Sequence, residues 1–357
     1  MEAELVGRPA DLIRNPADNS LRVLAVIPGA NEGSSFIFAR RQVESLRKLD
    51  LSIDTFYLQS RLSPLAVFRE ALRLSRTVRE LRPDLVHAHY GTLTSCLCAL
   101  VATCPLVITF RGSDLNGDLD VGFIRAWLGI FLSQISALRA RAIICTSRRL
   151  ESRLWWHKHK VTVLPSGVDL NLFTPISQEK AREKLALPTS ERIVLFNAGK
   201  NSITKGVALA KAATGHAEES VGKICLLQLD GTVSHQDMPL YMNAADCLLL
   251  TSRTEGSPNV VKEAMACNLP VVSVPVGDVP ELLEGVSYSH ILPRDASDLG
   301  KAIAEIVGSR HRSDGRNKIE TYSEDNIARQ VLAVYQSACL PFQEAGKAAI
   351  HSSNASI

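Results

Sequence analysis

Nowhere does this chain approach the roughly 18 uninterrupted apolar residues that a membrane-spanning helix needs, so no such helix is expected. None of its eight cysteines forms a C-x-x-C pair, and most sit inside apolar runs, the pattern of reduced, buried thiols. His87 and His89, like His157 and His159, have no cysteine or further histidine at metal spacing, and no structural metal is expected. The P-loop pattern GxxxxGK[ST] is absent, and so is the GxGxxG of nicotinamide-binding folds. No nucleic-acid reader motif, internal repeat or low-complexity tract occurs. The amino-terminal MEAELVGRPADLIRNP is polar and acidic, unlike a secretory signal. Residues 1–20 and 341–357 read as loose tails.

What is present describes a globular protein: 46% apolar and 22% charged residues over 357 positions, long enough for two domains. The formal charge of +3 hides an asymmetry. Residues 1–165 hold 22 Lys+Arg against 15 Asp+Glu, a net of +7; the remaining 18 against 22 give −4. A basic half joined to an acidic half suggests that the first meets something anionic. Within it, Arg69, Arg73 and Arg76 share a helical face, and a second cluster from Arg139 to Lys160 encloses Trp155 and Trp156. Arginine with interfacial tryptophan suits an anionic membrane surface or a lipid-linked acceptor.

Strands and helices alternate along both halves. In the first, strands are expected at 21–28, 54–59, 84–91, 105–114, 142–147 and 160–167, with helices near 36–49, 66–81 and 92–102. After a turn-rich break at 165–190 the pattern restarts, with strands at 192–199, 223–231, 247–252 and 269–275. Helices at 203–215, 238–245, 259–267, 279–284 and 296–308 separate them. Alternation of this kind marks doubly wound parallel sheets. The expected fold is therefore α/β, with two Rossmann-like domains, 21–165 and 166–322, facing each other across a cleft.

The most informative motif is EGSPNVVKE (255–263), two glutamates eight positions apart on a loop between an apolar strand and a helix. Ligands of open α/β sheets bind where strands end and helices begin, and a helix amino terminus favours an anion. Pro258 suits the helix start, and Glu255 and Glu263 could accept hydroxyl hydrogen bonds on either side of that anion. A sugar and a ribose joined by a diphosphate have this layout. FNAGKNSITKG (196–206) adds Lys200 and Lys205 at a second strand end, able to hold both phosphates. PGANEGSSF (28–36) offers Gly29 and Gly33 on a facing loop where backbone can approach a ligand closely. HAHYG (87–91) and RGSD (111–114) place His89, Arg111 and Asp114 at strand carboxyl ends, aimed at an acceptor or a departing phosphate. DLD (118–120) has the composition of a metal–diphosphate grip, but it lies in a polar loop and is not expected to bind metal.

Together these features resemble the retaining glycosyltransferases of family 4, with the fold called GT-B, over nearly all of residues 21–340. The most specific stretch runs from Met238 to Gly285. Residues 199–206 look like the basic diphosphate motif of that family, 161–175 like its interdomain segment, and 323–336 like its last helix. In that fold the last helix, here about 323–340, packs back onto the first domain. The resemblance implies that Glu255, Lys205 and Lys200 are catalytic, with Glu255 on the donor sugar. Gly256, Ser257, Pro258, Asn259 and Val260 would assist it, Glu263 would bind the nucleotide ribose, and Gly33 would approach the donor from the facing loop. The lysines would neutralise the leaving diphosphate in place of a metal, and no cofactor beyond the nucleotide-diphosphate sugar is implied. His89, Arg111 and Asp114 would form the acceptor side.

The chain departs from the family pattern in places. Lys200 stands where arginine is common, Arg111 where histidine is common, and VGD (276–278) where a paired glycine precedes PE. The implied activity is transfer of a hexose from a nucleotide-diphosphate sugar to a saccharide or lipid-linked hydroxyl, in surface polysaccharide or glycolipid synthesis. Its expected place is the cytoplasm, at the inner face of the plasma membrane, with no nucleic-acid partner. The alternatives are a GT-B sugar epimerase and a catalytically silent sugar-nucleotide-binding scaffold.

Overall fold

The computed structural model describes residues 20–31, 36–59, 63–117, 122–199 and 202–340. Gly33, Lys200, Asp118 and Asp120 lie outside the described residues. The first half forms a six-stranded, all-parallel sheet: β1 (Leu21–Pro28), β2 (Leu51–Leu58), β3 (Leu85–Ala88), β4 (Leu106–Phe110), β5 (Ala142–Cys145) and β6 (Val161–Val163), in the order β2-β1-β3-β4-β5-β6. The second half is a five-stranded parallel sheet of β7 (Arg192–Asn197), β8 (Ile224–Leu229), β9 (Cys247–Leu250), β10 (Val271–Ser273) and β11 (His290–Ile291), ordered β11-β10-β9-β7-β8. The fold is α/β with two doubly wound parallel sheets, as the alternation of elements implies, in the two-domain GT-B arrangement that the family resemblance implies.

Parallel strands are covered on both faces, which is why they read as unbroken apolar runs. In β1, successive side chains serve different cores. Leu24 and Val26 pack under α2 (Pro64–Leu81) and α3 (Thr92–Val101), whereas Val23 packs on the other face with Leu46 of α1 (Ile37–Arg47). A short helix, α4 (Ser113–Asn116), follows β4. Next comes α5 (Phe123–Arg139), in a stretch to which the sequence pattern assigns no element. It lies beside α3 on the α2 face.

The last helix, Glu324–Cys339, lies on the first sheet rather than the second, with Ile327, Val331, Val334 and Tyr335 packed against Val23, Leu85, Val107 and Ile144. A buried polar lock completes the contact. The Tyr335 hydroxyl lies 2.6 Å from Nδ1 of His87, whose Nε2 lies 2.7 Å from the Thr109 hydroxyl. Burial holds the His87 imidazole down at about 3, so it stays neutral and uses both ring nitrogens as hydrogen-bonding groups. The two chain crossings between the sheets run side by side: Val168 N–H donates to Tyr322 O (2.9 Å) and Glu324 N–H to Val168 O (3.0 Å).

Removing the Tyr335 hydroxyl leaves a buried imidazole nitrogen without a partner, which costs about 1–3 kcal/mol. Tyr335→Phe should therefore lower the urea midpoint of unfolding with helix content unchanged. An unshifted midpoint would show that the hydroxyl contributes nothing to docking the last helix.

Candidate active site

The carboxyl ends of the two sheets face each other across a cleft of about 580 Å³, within the usual range of small-ligand sites. Its floor on the second sheet begins where β7 ends. A short helix, Ser202–Lys205, turns through Gly206 into the helix Val207–Val221. The turn is pinned by the Thr251 hydroxyl against the carbonyls of Lys205 and Gly206 (2.9 and 3.0 Å). Arg294 in turn donates to the carbonyls of Thr251 and Ser252, both at 2.8 Å. So held, Lys205 points its Nζ across to Glu255 Oε1 at 2.6 Å.

Glu255 lies in the loop between β9 and the helix Asn259–Ala266. Gly256, Ser257, Pro258, Asn259 and Val260 line the cleft with it, as does Glu263 one turn into the helix. Lys262, fully buried, fixes this loop by donating to Ser257 Oγ (3.0 Å) and to Ser166 O (2.8 Å) in the segment where the chain passes between the domains. Desolvation drives the Lys262 ammonium down to about 8 and the Glu263 carboxyl up to about 7; Arg41 and Lys262 partly offset the latter. His235 Nδ1 stands 3.9 Å from Glu263 Oε1, but burial lowers this imidazole to about 4, so no ion pair forms at neutral pH. His235 Nε2 and Asn259 Oδ1 are buried without a hydrogen-bond partner. Both residues line the cleft, and polar atoms left in that state favour a polar ligand beside them.

The first sheet closes the cleft by a backbone contact. Gly256 packs so tightly on the Arg111 carbonyl that a Cβ there would collide with it, and a Cβ on Gly112 would lie 3.2 Å from Gly256 N. Ile37, Phe38, Tyr90, Arg111, Gly112 and Thr146 contribute to this side, with the Tyr90 hydroxyl 2.6 Å from the Ser113 hydroxyl.

The expected acceptor-side trio needs correction. His89 and Asp114 are fully buried and do not reach the cleft. Asp114 instead accepts backbone N–H bonds from Gly91, Arg111 and Gly112 at 2.8–3.1 Å, folding the RGSD turn, and burial raises its carboxyl. His89 stacks on His87 with ring centres 3.8 Å apart. Arg111 does line the cleft, but its guanidinium is committed to Ser166 Oγ (2.9 Å), Gln42 Oε1 (2.7 Å) and His89 O (3.3 Å), and it lies over the Phe38 ring. A polar residue at a strand end is equally able to point inward and cap a turn, and these do. Sequence reasoning missed His235 and Tyr90; a lone histidine in a polar loop carries no signal that would have found it.

Two family models match the chain: one described as Glycosyltransferase Family 4 over residues 35–172, the other as Glycosyl transferases group 1 over residues 194–309. A teichuronic acid biosynthesis glycosyltransferase, TuaC of Bacillus subtilis, is 30% identical over 244 residues, covering 63% of this chain and 61% of the relative. The matched region thus spans about three fifths of that protein. Among solved structures, sucrose-phosphate synthase of Thermosynechococcus elongatus superposes with a TM-score of 0.70 at 18% identity, over 88% of this chain and 98% of that one. HepE of Anabaena, in complex with UDP, gives 0.67 at 16% identity, over 89% and 100%. At such identities these two structures speak for the fold alone. With one model on each sheet and the arrangement of both sheets shared, the chain belongs to glycosyltransferase family 4, the group 1 glycosyltransferases.

Proposed function

We propose that this chain is a retaining, metal-independent hexosyltransferase that uses a nucleotide-diphosphate sugar. The observation that carries the reading is the convergence of Lys205, Glu255 and Glu263 on one cleft, at two strand ends and the start of a helix. A diphosphate between Lys205 and that helix amino terminus meets a cation and free N–H donors. Glu263 then faces the nucleoside side and accepts ribose hydroxyls, while Glu255 accepts hydroxyls of the sugar. As the glycosidic C–O bond to phosphate breaks, charge builds on the diphosphate, and the fixed Lys205 ammonium stabilises it where a metal would otherwise be needed. Lys200 is assigned the second cation of this pair. The leaving oxygen takes the proton of the acceptor hydroxyl on the same face of the sugar. The anomeric configuration is thereby kept without a second carboxylate.

The UDP in the HepE structure supports a uridine nucleotide as the first donor to test. The TuaC relative supports a surface-polysaccharide role. No helix among the described residues is long and apolar enough to cross a membrane. The proposed place of work is the inner membrane face, reached by peripheral contact of the basic first half with anionic lipid.

Glu255→Gln should lower kcat by about 10²-fold while a nucleoside diphosphate still raises the Tm, since the variant loses the sugar contact but keeps the phosphate site. The Tm panel spans UDP, GDP and ADP with and without EDTA. A shift abolished by chelator would overturn metal independence, and no shift with any of them would leave a scaffold. The anomer of the first product, read by NMR, decides retention.

Glu263 adds a pH dependence. Ribose hydroxyls bind the carboxylate better than the acid, so donor KM should rise as pH falls through about 7. Stability of the free protein runs the other way. The raised carboxyl contributes fully below the unfolded value of 4.5, and the contribution is lost as pH rises through about 7. Glu263→Gln should hold donor KM at its acid-limb value across pH 5.5–8.5, whereas superimposable wild-type and variant profiles would remove Glu263 from donor binding.

A further inference from the structure

The α5 helix is built inside out. A helix on the surface of a globular domain normally turns its apolar stripe to the core and its polar side to water. Here Ser133, Gln134 and Ser136 are buried. Their polar groups are satisfied: Ser133 Oγ donates to Gly129 O and accepts from Thr92 N, and Gln134 holds the Arg153 carbonyl and the Trp155 N–H. The outward side carries seven exposed large apolar side chains, from Phe123 (76%) and Ile124 (83%) through Trp127 (52%) to Leu138 (45%). Neighbouring elements continue the surface with Leu65, Phe68 and Leu72 of α2, Leu100 of α3, and Trp155. Of the sixteen exposed large hydrophobic side chains among the described residues, eleven lie on α2, α3 and α5 and a twelfth, Trp155, lies in the loop beside α5. An apolar face so concentrated marks an interaction surface, not scattered surface residues.

Charge says what covers it. Helices α3 and α5 contain no carboxylate, and Glu70 of α2 is buried and paired with Arg73 at 2.7 Å. The exposed rim is basic: Arg125 and Arg139 at the two ends of α5, Arg69 and Arg76 on α2, Arg149 and Arg153 beside Trp155. A second copy of this chain, docked face to face, would bring those arginine rims together with a single exposed acid among the described residues of these three helices, Glu80 of α2, to meet them. An anionic lipid surface accepts both parts, taking apolar side chains into the acyl boundary and arginines at the headgroups. Seventeen residues of helix reach about 25 Å, too short to span and suited to lying in the interface plane.

We propose that the α2–α3–α5 face is a lipid-docking surface, with α5 lying in the headgroup plane of an anionic membrane. The inference rests on the peripheral-membrane part of the function proposed above and assigns it to a particular helix. It also bears on the acceptor. Helix α4 and Gly117, which lead from the cleft wall to α5, contact α5 directly, with Ile130 Cδ1 3.5 Å from the Cβ position of Gly117. Docked this way, the cleft mouth stands near headgroup level, where an acceptor carried on a lipid presents its hydroxyl.

The test is co-sedimentation with vesicles of phosphatidylglycerol and phosphatidylcholine, against phosphatidylcholine alone, for the full chain and for Trp127→Ser/Phe131→Ser. Wild type should bind the anionic vesicles, and the variant should bind about tenfold or more weakly. Arg125→Glu/Arg139→Glu should weaken binding to a similar extent, with a smaller salt dependence. Since all four side chains are exposed, each variant should keep the Tm shift given by a nucleoside diphosphate, which separates lost docking from lost folding. If wild type ignores every vesicle, the membrane reading itself fails. If it binds and both variants bind equally well, the membrane reading stands and the assignment to α5 is overturned. A dimer in solution that Trp127→Ser/Phe131→Ser converts to monomer, with vesicle binding untouched, would instead make the face a self-association interface.

Discussion

The cleft depends on one backbone approach, that of Gly256 in the second domain to the Arg111–Gly112 turn in the first. Strands of a parallel sheet all end on the same edge, so each domain presents a row of loops, and those loops become a site only when the two rows meet. No side chain fits between Gly256 and the Arg111 carbonyl, which makes the glycine a steric requirement of this closure. The ionisations in the cleft are perturbed as well. Lys262 and Glu263 are neighbours on one helix, and burial pushes both toward their neutral forms. Lys262 spends its donors on Ser257 and on the interdomain segment at Ser166. The same lysine therefore shapes the glutamate loop and ties it to the point where the chain crosses between domains.

That crossing has a second component. The last helix belongs to the first domain by packing, through the His87–Tyr335 lock and the apolar row from Ile327 to Val334, although it follows the second domain in sequence. Its first turn also pairs with the opposite crossing at Val168, and Glu324 holds Arg41 of α1 at 2.6 Å. The main cores, by contrast, are separate: the second-domain core gathers around β7–β10, the first-domain cores around β1–β5. Two independent cores joined by polar contacts and glycine backbone make an interface of the kind across which domains move.

The parts of this arrangement that sequence reveals are those with a periodicity. Strands buried on both faces are apolar throughout, so β1, β4, β7 and β9 are visible, and with them the loops at their carboxyl ends. Glu255, Lys205 and Glu263 follow, because each lies a fixed step beyond such a strand, and the structure brings them to one cleft. Direction is what the pattern lacks. His89, Arg111 and Asp114 occupy equivalent strand-end positions, yet Asp114 turns back to collect three backbone N–H groups and His89 turns under the sheet. Nothing in residue type separates a carboxylate that caps its own turn from one that faces a substrate. His235 is hidden for a different reason, since its neighbours Phe173 and Glu263 are distant in the chain. The α5 helix escapes because apolar periodicity is read as pointing inward, and here it points out.

The reversed helix also gives the charge asymmetry of the chain a location. A net of +7 in the first half suggests that it meets something anionic, yet its cleft-side arginines are already committed: Arg111 to neutral acceptors and Arg41 to Glu324, while the cation bonded to Glu255, Lys205, comes from the acidic half. The surplus arginines stand instead on α2 and around the ends of α5, beside the exposed apolar side chains. Basic residues that merely kept a domain soluble would have no reason to gather at the border of its most apolar surface. On an anionic interface the two features reinforce each other, because electrostatic attraction raises the local concentration at which apolar side chains insert. The two halves of the chain thus divide the task. Under the proposed function, the acidic half would hold the sugar nucleotide with a few fixed charges, while the basic half would turn the cleft toward the surface that carries the acceptor.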